Sequence, residues 1–473
     1  MIMVFSSLVF LSIFLPVVLI LHTAIPSLKV KNGLLLAASL LFYAYGEPVY
    51  VFLMLSSALL NYCFALLIHI NRSKLLLALS VAVNLGILGV FKYSGFLMSN
   101  VNAALGLSLP VPQIALPIGI SFFTFQALSY VIDVYRGDVA VQKSYGKLLL
   151  YISFFPQLIA GPIVRYKDIA MEIDDRSASP RQIAFGLRRF IVGLGKKVLI
   201  ANAMGAAADY MFNHGAANLN MLGAWIGAVA YLMQIYYDFS AHSDMAIGLG
   251  KMFGFHFKEN FNHPYIADTV QNFWRRWHIS LSTFFRDYVY IPLGGNRKGK
   301  YRTVLNRIIV FFLTGLWHGA NWTFIAWGLF HGFFLLLEEF IPLIKKLPKI
   351  LRHIYTLLTV TLGFVLFRAD SIGEALVFIA RMFSGTDFCA ASMSFTVQAL
   401  TPYFIFMLLM AILCCGPFDF LAERVRKLED KEILTKKETV VQNASFVLCC
   451  LLLVWCMIRL AGGSYNPFIY FRF

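Results

Sequence analysis

Charge is scarce in this chain and leans to one sign: Asp, Glu, Lys and Arg make up 14% of the 473 residues, 40 basic against 24 acidic. Soluble domains of that total length need a more polar surface, so the composition excludes them. Cysteine is sparse too. The seven (Cys63, Cys389, Cys414, Cys415, Cys449, Cys450, Cys456) sit mostly in apolar stretches and lack metal-ligand spacing. They read as core residues, and no metal site is expected. The longest polar stretches, residues 165–189 and 424–443, are only loops, so the chain reads as one membrane domain over residues 1–473. No internal repeat is visible, which argues against an inverted-repeat transporter.

What is abundant is apolar and aromatic. Hydrophobic residues reach 59%, aromatic residues 16% and the mean hydropathy is +0.72. A spanning helix needs roughly 20 mostly apolar residues. Such runs lie at residues 3–25, 49–70, 75–97, 221–248, 308–340, 395–415 and 445–460. With shorter or Gly/Pro-broken stretches at 33–45 and 148–163, the expectation is an all-α polytopic membrane protein with about 9 to 12 embedded helices. The first run has no basic residue before it and is long, so it is expected to be a retained helix rather than a signal peptide.

The placement of the charge carries the topology. Lys29 and Lys31 follow the first run, no Lys or Arg occurs in residues 33–71, and Arg72 and Lys74 then appear. Residues 101–116 carry no charge, whereas Arg136, Lys143, Lys147 and the stretch 165–197 are basic, as are Arg297, Lys298, Lys300 and Arg302. The positive-inside rule therefore predicts a bacterial inner or plasma membrane protein with its N-terminus outside and the Arg297 loop in the cytosol. Topology together with attraction to anionic lipid is one full account of the basic excess; the other adds an anionic cytosolic ligand such as coenzyme A or an acidic carrier protein. Nucleic acid is not needed to explain it. Two stretches make poor simple spans. Residues 115–136 begin Ala115-Leu116-Pro117-Ile118-Gly119 and carry Gln126 and Asp133, and residues 148–165 are broken by Pro156, Gly161 and Pro162. Irregular backbone at membrane depth must be buried in protein or line a wet cavity, so re-entrant segments around a central tunnel are expected.

Two polar stretches are candidates for chemistry. Asn272-Phe273-Trp274-Arg275-Arg276-Trp277-His278-Ile279-Ser280-Leu281-Ser282, read as one helix, places Trp274, Trp277 and Leu281 on one face and Arg275, His278 and Ser282 on another. It reads equally as an interfacial anchor. In Leu316-Trp317-His318-Gly319-Ala320-Asn321, His318 lies inside an apolar segment, where an ionisable side chain is costly and is a functional candidate with a partner expected. A core histidine bonded to a carbonyl or to Asn321 is the alternative. Gly315, Gly319 and Ala320 allow close approach of a helix or ligand.

Arg275-Arg276-Trp277-His278, Trp317-His318-Gly319 and Tyr237-Asp238-Phe239-Ser240 resemble the signatures of the membrane-bound O-acyltransferase family. The opening Val4-Phe5-Ser6-Ser7 and the terminal Asn466-Pro467-Phe468-Ile469-Tyr470-Phe471-Arg472-Phe473 are similar to its alginate O-acetyltransferase branch. His242 stands where relatives are expected to carry Tyr. The resemblance implies a ring of helices around a thin centre with funnels from both faces. It makes His318 catalytic and His278 a second polar residue of the same tunnel. Trp274, Arg276, Trp317, Asn321 and Asp238 are the expected substrate-binding residues. Acetyl-CoA or another acyl thioester is the implied donor, with no permanently bound cofactor. The implied partners are the lipid bilayer, an extracytoplasmic SGNH-type acetyltransferase and an acyl carrier protein. The rival activities are D-alanyl transfer toward teichoic acid and non-enzymatic transport.

The chemistry is consistent with this. Moving an acetyl group from a thioester to a hydroxyl needs a base, and an imidazole kept neutral by burial supplies one, here His318. His278, Asn321 or Trp274 can stabilise the oxyanion. No serine or cysteine nucleophile beside a histidine is evident, Ser280 and Ser282 being the nearest, so direct transfer is expected rather than an acyl-enzyme.

Overall fold

The structure, a computed structural model, describes residues 3–159, 161–429, 431, 433–463 and 465–467. Among these, helices are the only regular secondary structure. Six are individually long and apolar enough to cross a membrane: Tyr50–Asn71, Lys74–Leu105, Pro180–Asn213, Trp322–Phe340, Lys349–Arg368 and Lys436–Ala461. A pair bent by 62°, Ala390–Ala399 with Pro402–Cys414, counts as a seventh if it forms one span. Other helices of the expected 9 to 12 are too short, bent or polar to meet this criterion alone. The reason for helix is the solvent: in hydrocarbon every backbone N–H and C=O must be paired within the chain. Tyr50–Asn71, Lys74–Leu105 and Lys436–Ala461 turn most of their apolar side chains outward, as with Ile70 and Leu75, which are 75% and 77% exposed, whereas Pro180–Asn213 is largely buried. Lipid accepts what water would not.

The chain divides into two compact units. In Met1–Phe190 with Ser243–Lys258, the two stretches expected to be broken are broken; the break at Phe154 is buried, whereas residues 107–115 before Gly119 are exposed. Residues 107–119 are non-helical until Gly119, whose φ of 75° starts the buried helix Ile120–Arg136. A side chain at Gly119 would also collide with the Leu158 carbonyl. The helix Tyr145–Ser153 stops at Phe154, and the backbone groups freed there find partners. Phe155 N donates to Ser39 Oγ at 3.1 Å, and Tyr151 Oη donates to the Val164 carbonyl at 2.9 Å.

The second unit is Ile191–His242 with Glu259–Phe473. Its apolar run 308–340 forms two helices, Lys300–His318 and Trp322–Phe340, with the break at residues 319–321. Asn321 Oδ1 caps the second helix by accepting from Thr323 N at 3.1 Å. The two pack against each other with backbones touching at Gly315 and Gly328, where an added Cβ would strike a carbonyl of the partner helix. The small residues that the sequence singled out here are thus used for close approach.

Candidate active site

The stretch around His278 is not the single helix expected from its periodicity. It forms Val270–Arg276 and Ile279–Phe285, and between them His278 takes φ 45° and ψ 55°, the left-handed region. The segment at residues 260–262 captures the peptide groups that a continuous helix would have paired. Asn262 N donates to the Arg276 carbonyl and Ile279 N to the Asn260 carbonyl, both at 2.9 Å. Histidine tolerates this conformation better than a β-branched residue would. At the other end, Thr269 Oγ1 caps Val270–Arg276, and the buried Glu338 accepts from Val270 N at 2.5 Å and Gln271 N at 3.1 Å. This short helix is therefore held from both ends, and His278 is placed by tertiary pairing.

His278 is 1% exposed. Its Nδ1 lies 3.3 Å from Asn260 Oδ1, an oxygen that also accepts from Ser280 N at 3.1 Å and Ser280 Oγ at 2.9 Å. An atom accepting from a backbone N–H must be the amide oxygen, so Nδ1 is assigned the proton. Nε2 keeps its lone pair, buried and with no hydrogen-bond partner among the described residues. Burial pushes the His278 pKa down from 6.5 to about 3. At any working pH the ring is a neutral imidazole offering a lone pair. Phe239 meets it edge-on at 4.5 Å, and Trp317 lies 6.0 Å away.

His318 ends the helix Lys300–His318. Its ring lies 4.9 Å from Trp317, 5.0 Å from Trp327 and 5.2 Å from Phe367. Trp317 therefore touches both expected histidines, which the fold brings together across about 40 residues. Trp327 continues the cluster to Trp274 at 5.6 Å and to His331 at 5.3 Å. The indole N–H groups of Trp274 and Trp327 are buried without a hydrogen-bond partner among the described residues, and so remain available as donors. His331, fully buried, was not singled out from the sequence. The signal existed, because it too is an imidazole in an apolar run.

The other expected binding residues serve as holders. Arg276 Nε donates to Asn272 Oδ1 at 2.9 Å and its Nη1 to the Asn262 carbonyl at 3.1 Å, bracing the turn before His278. Asn321 Nδ2 donates to the Asp370 carbonyl at 3.2 Å, in addition to its cap. Asp238 is buried in an ion pair with Lys197 at 2.7 Å.

A cavity of about 530 Å³ opens beside this cluster, lined by Trp274, Arg275, Ser282, Arg286, Arg307 and Thr314 among others. It reaches Ile279, next in sequence to His278, and Thr314, one helical turn before His318. Arg275, Arg286 and Arg307 had not been expected to share a cavity, because they belong to three separate elements. A neutral lone pair, indole N–H donors and a cation-lined cavity make up the parts of an acyl-transfer site.

The sequence profile of the MBOAT, membrane-bound O-acyltransferase, family matches residues 123–379, a stretch containing every one of these groups. The chain belongs to that family. This O-acyltransferase is 39% identical over 505 residues to the probable alginate O-acetylase AlgI of Azotobacter vinelandii, covering 100% of both chains. It is 36% identical over 434 residues to the peptidoglycan O-acetyltransferase of Helicobacter pylori, covering 83% and 82%. To the teichoic acid D-alanyltransferase of Bacillus subtilis it is 29% identical, over 53% of this chain and 68% of that one. Likeness to the two acetylating relatives thus extends over far more of this membrane O-acyltransferase than likeness to the D-alanylating one.

Proposed function

We propose that this protein transfers an acetyl group from a cytosolic thioester, acetyl-CoA or an acyl carrier, to a hydroxyl acceptor for O-acetylation of an exported or cell-surface polysaccharide. The observation that carries the reading is the pair of histidines, His278 and His318, each packed on Trp317, with an arginine-bearing cavity nearby that neither ring lines but that reaches Ile279 and Thr314. With Nδ1 committed to Asn260, His278 can only accept at Nε2, which suits it to take the proton of the attacking hydroxyl. His318 sits at the carbonyl end of its helix, a setting that suits a ring that hands its proton to the departing sulfur, which leaves as a thiol. This division moves the base from His318, where the sequence reading put it, to His278. The indole N–H groups of Trp274 and Trp327 are the donors left for the oxyanion. An extracytoplasmic SGNH-type acetyltransferase would relay the acetyl group to the polymer.

Proteoliposomes given a radiolabelled acetyl thioester and an acceptor test this directly. Thioester-dependent acetyl transfer is expected, whereas transfer only from a D-alanyl carrier would replace the reading. Arg275, Arg286 and Arg307 line the cavity, Arg286 and Arg307 in ion pairs with Asp287 and Glu339; for a donor seated there, KM should rise between low and physiological salt while kcat holds. A flat KM would remove the arginines from donor capture. The orientation proposed is N-terminus outside and residues 297–302 cytosolic. An impermeant thiol reagent should miss a cysteine placed in that loop in intact cells, and labelling from outside would reverse the orientation.

A further inference from the structure

Lys197 lies in the π-helical turn Lys196–Ala201, at the middle of the candidate span Pro180–Asn213, and Asp238 lies within the helix Met221–Met252. Their side chains are 2% and 1% exposed, and Nζ to Oδ1 is 2.7 Å. His242, one turn on, puts Nε2 3.7 Å from the same oxygen. Stability alone is a poor reason for such a pair. The desolvation of two charges roughly cancels their attraction, so a well-packed apolar pair would hold the fold as well or better. Ionisable groups at membrane depth are costly and tend to be functional.

One bond leads from this pair to residues 465–467, and two more tie that segment to neighbouring side chains. Lys197 Nζ also donates to the Pro467 carbonyl, Asn202 Nδ2 donates to Asn466 Oδ1 at 3.1 Å, and Tyr465 Oη donates to Asp209. The described part of the terminal motif is thus stitched to the helices around Lys197. Arg368 Nη2 binds the same Asp209 at 2.6 Å, joining Lys349–Arg368 to the network. On the other side, Asp238 is followed by Phe239, whose ring stands at 88° to the His278 imidazole with centroids 4.5 Å apart. Phe261 at 4.9 Å backs Phe239 from the segment that carries Asn260.

We propose that Lys197 and Asp238 are positioning residues for acyl transfer: the ion pair, anchored by the Tyr465–Asn466–Pro467 segment, fixes the rotation of the Asp238 turn, and Phe239 thereby fixes the plane of the His278 ring. Asn260 sets which nitrogen of His278 carries the proton, and Phe239 sets where the lone pair points. The inference rests on the acetyl-transfer reading above.

The experiment compares purified wild type, the double variant Lys197→Met/Asp238→Asn, and Phe239→Leu in the proteoliposome assay. The double variant removes both charges together, so neither is left buried and alone. It is expected to accumulate and melt like wild type, with unchanged donor KM and kcat lower by roughly tenfold or more, the scale of a small misplacement of a reacting group. Phe239→Leu keeps the ion pair and should lower kcat alone to the same degree. Wild-type kcat in either variant would overturn the proposal. If the double variant does not accumulate, Phe239→Leu decides: reduced kcat at unchanged KM supports the proposal, and normal kcat ends it. Absence of acetyl transfer in the wild-type protein would instead sink the acetyl-transfer reading itself.

Discussion

Replacing His318 by glutamine is expected to leave the protein in the membrane and to lower kcat for acetyl transfer by about 10²- to 10⁴-fold, with little change in donor KM. The ring lies among Trp317, Trp327 and Phe367. Glutamine fills similar space and keeps a hydrogen bond, but it cannot exchange a proton at neutral pH. The effect is therefore placed on the chemical step rather than on binding. Single-turnover kinetics with saturating thioester is the measurement. Near-normal turnover would show His318 to be a packing residue and remove it from the mechanism.

His278→Gln is expected to lose a similar factor, about 10²- to 10⁴-fold in kcat, with a distinct dependence on pH. Burial holds the His278 pKa near 3, below its usual 6.5. The unprotonated form therefore predominates from about pH 5 to pH 8, the range in which an ordinary histidine changes charge. Any fall of kcat on the acid side of that range belongs to another group. The variant should be slower at every pH, with the position of the acid limb unmoved. If the limb disappears with His278, the ring titrates in that range and is not the neutral acceptor assigned to it. If the protein itself is lost from the membrane, the stretch is an anchor and not a catalytic element.

Much of this site was readable because its cost was readable. His318 lies in an apolar run, where an ionisable residue is rare, and the clusters around His278 and Trp317 were unusual enough to single out. What periodicity could not show was the interruption at His278. A helix is the local preference of residues 272–285, but the Asn260 and Asn262 backbone takes over the peptide groups on either side of Arg276 and Ile279. Asn260, which sets the tautomer, lies 18 residues away in the chain and carried no mark of its role. Arg276 and Asn321 were expected at the substrate because they lie in or beside the motifs that carry the family resemblance. Each gives a donor to a backbone carbonyl, that of Asn262 or Asp370, and Arg276 gives another to the Asn272 side chain, choices that depend on which loop comes near.

By itself the sequence determined the solvent, the helical class and the broken segments, and it marked the two histidines as candidates, because burial cost, hydrophobic run length and glycine or proline breaks are properties of residues within one stretch of chain. Only the tertiary structure decided which nitrogen of His278 keeps a lone pair, which arginines share a cavity, and that Asp238 meets Lys197. These are choices among hydrogen-bond and charge partners far apart in the chain, and each side chain's donors and acceptors go to whichever groups the packing brings within about 3 Å.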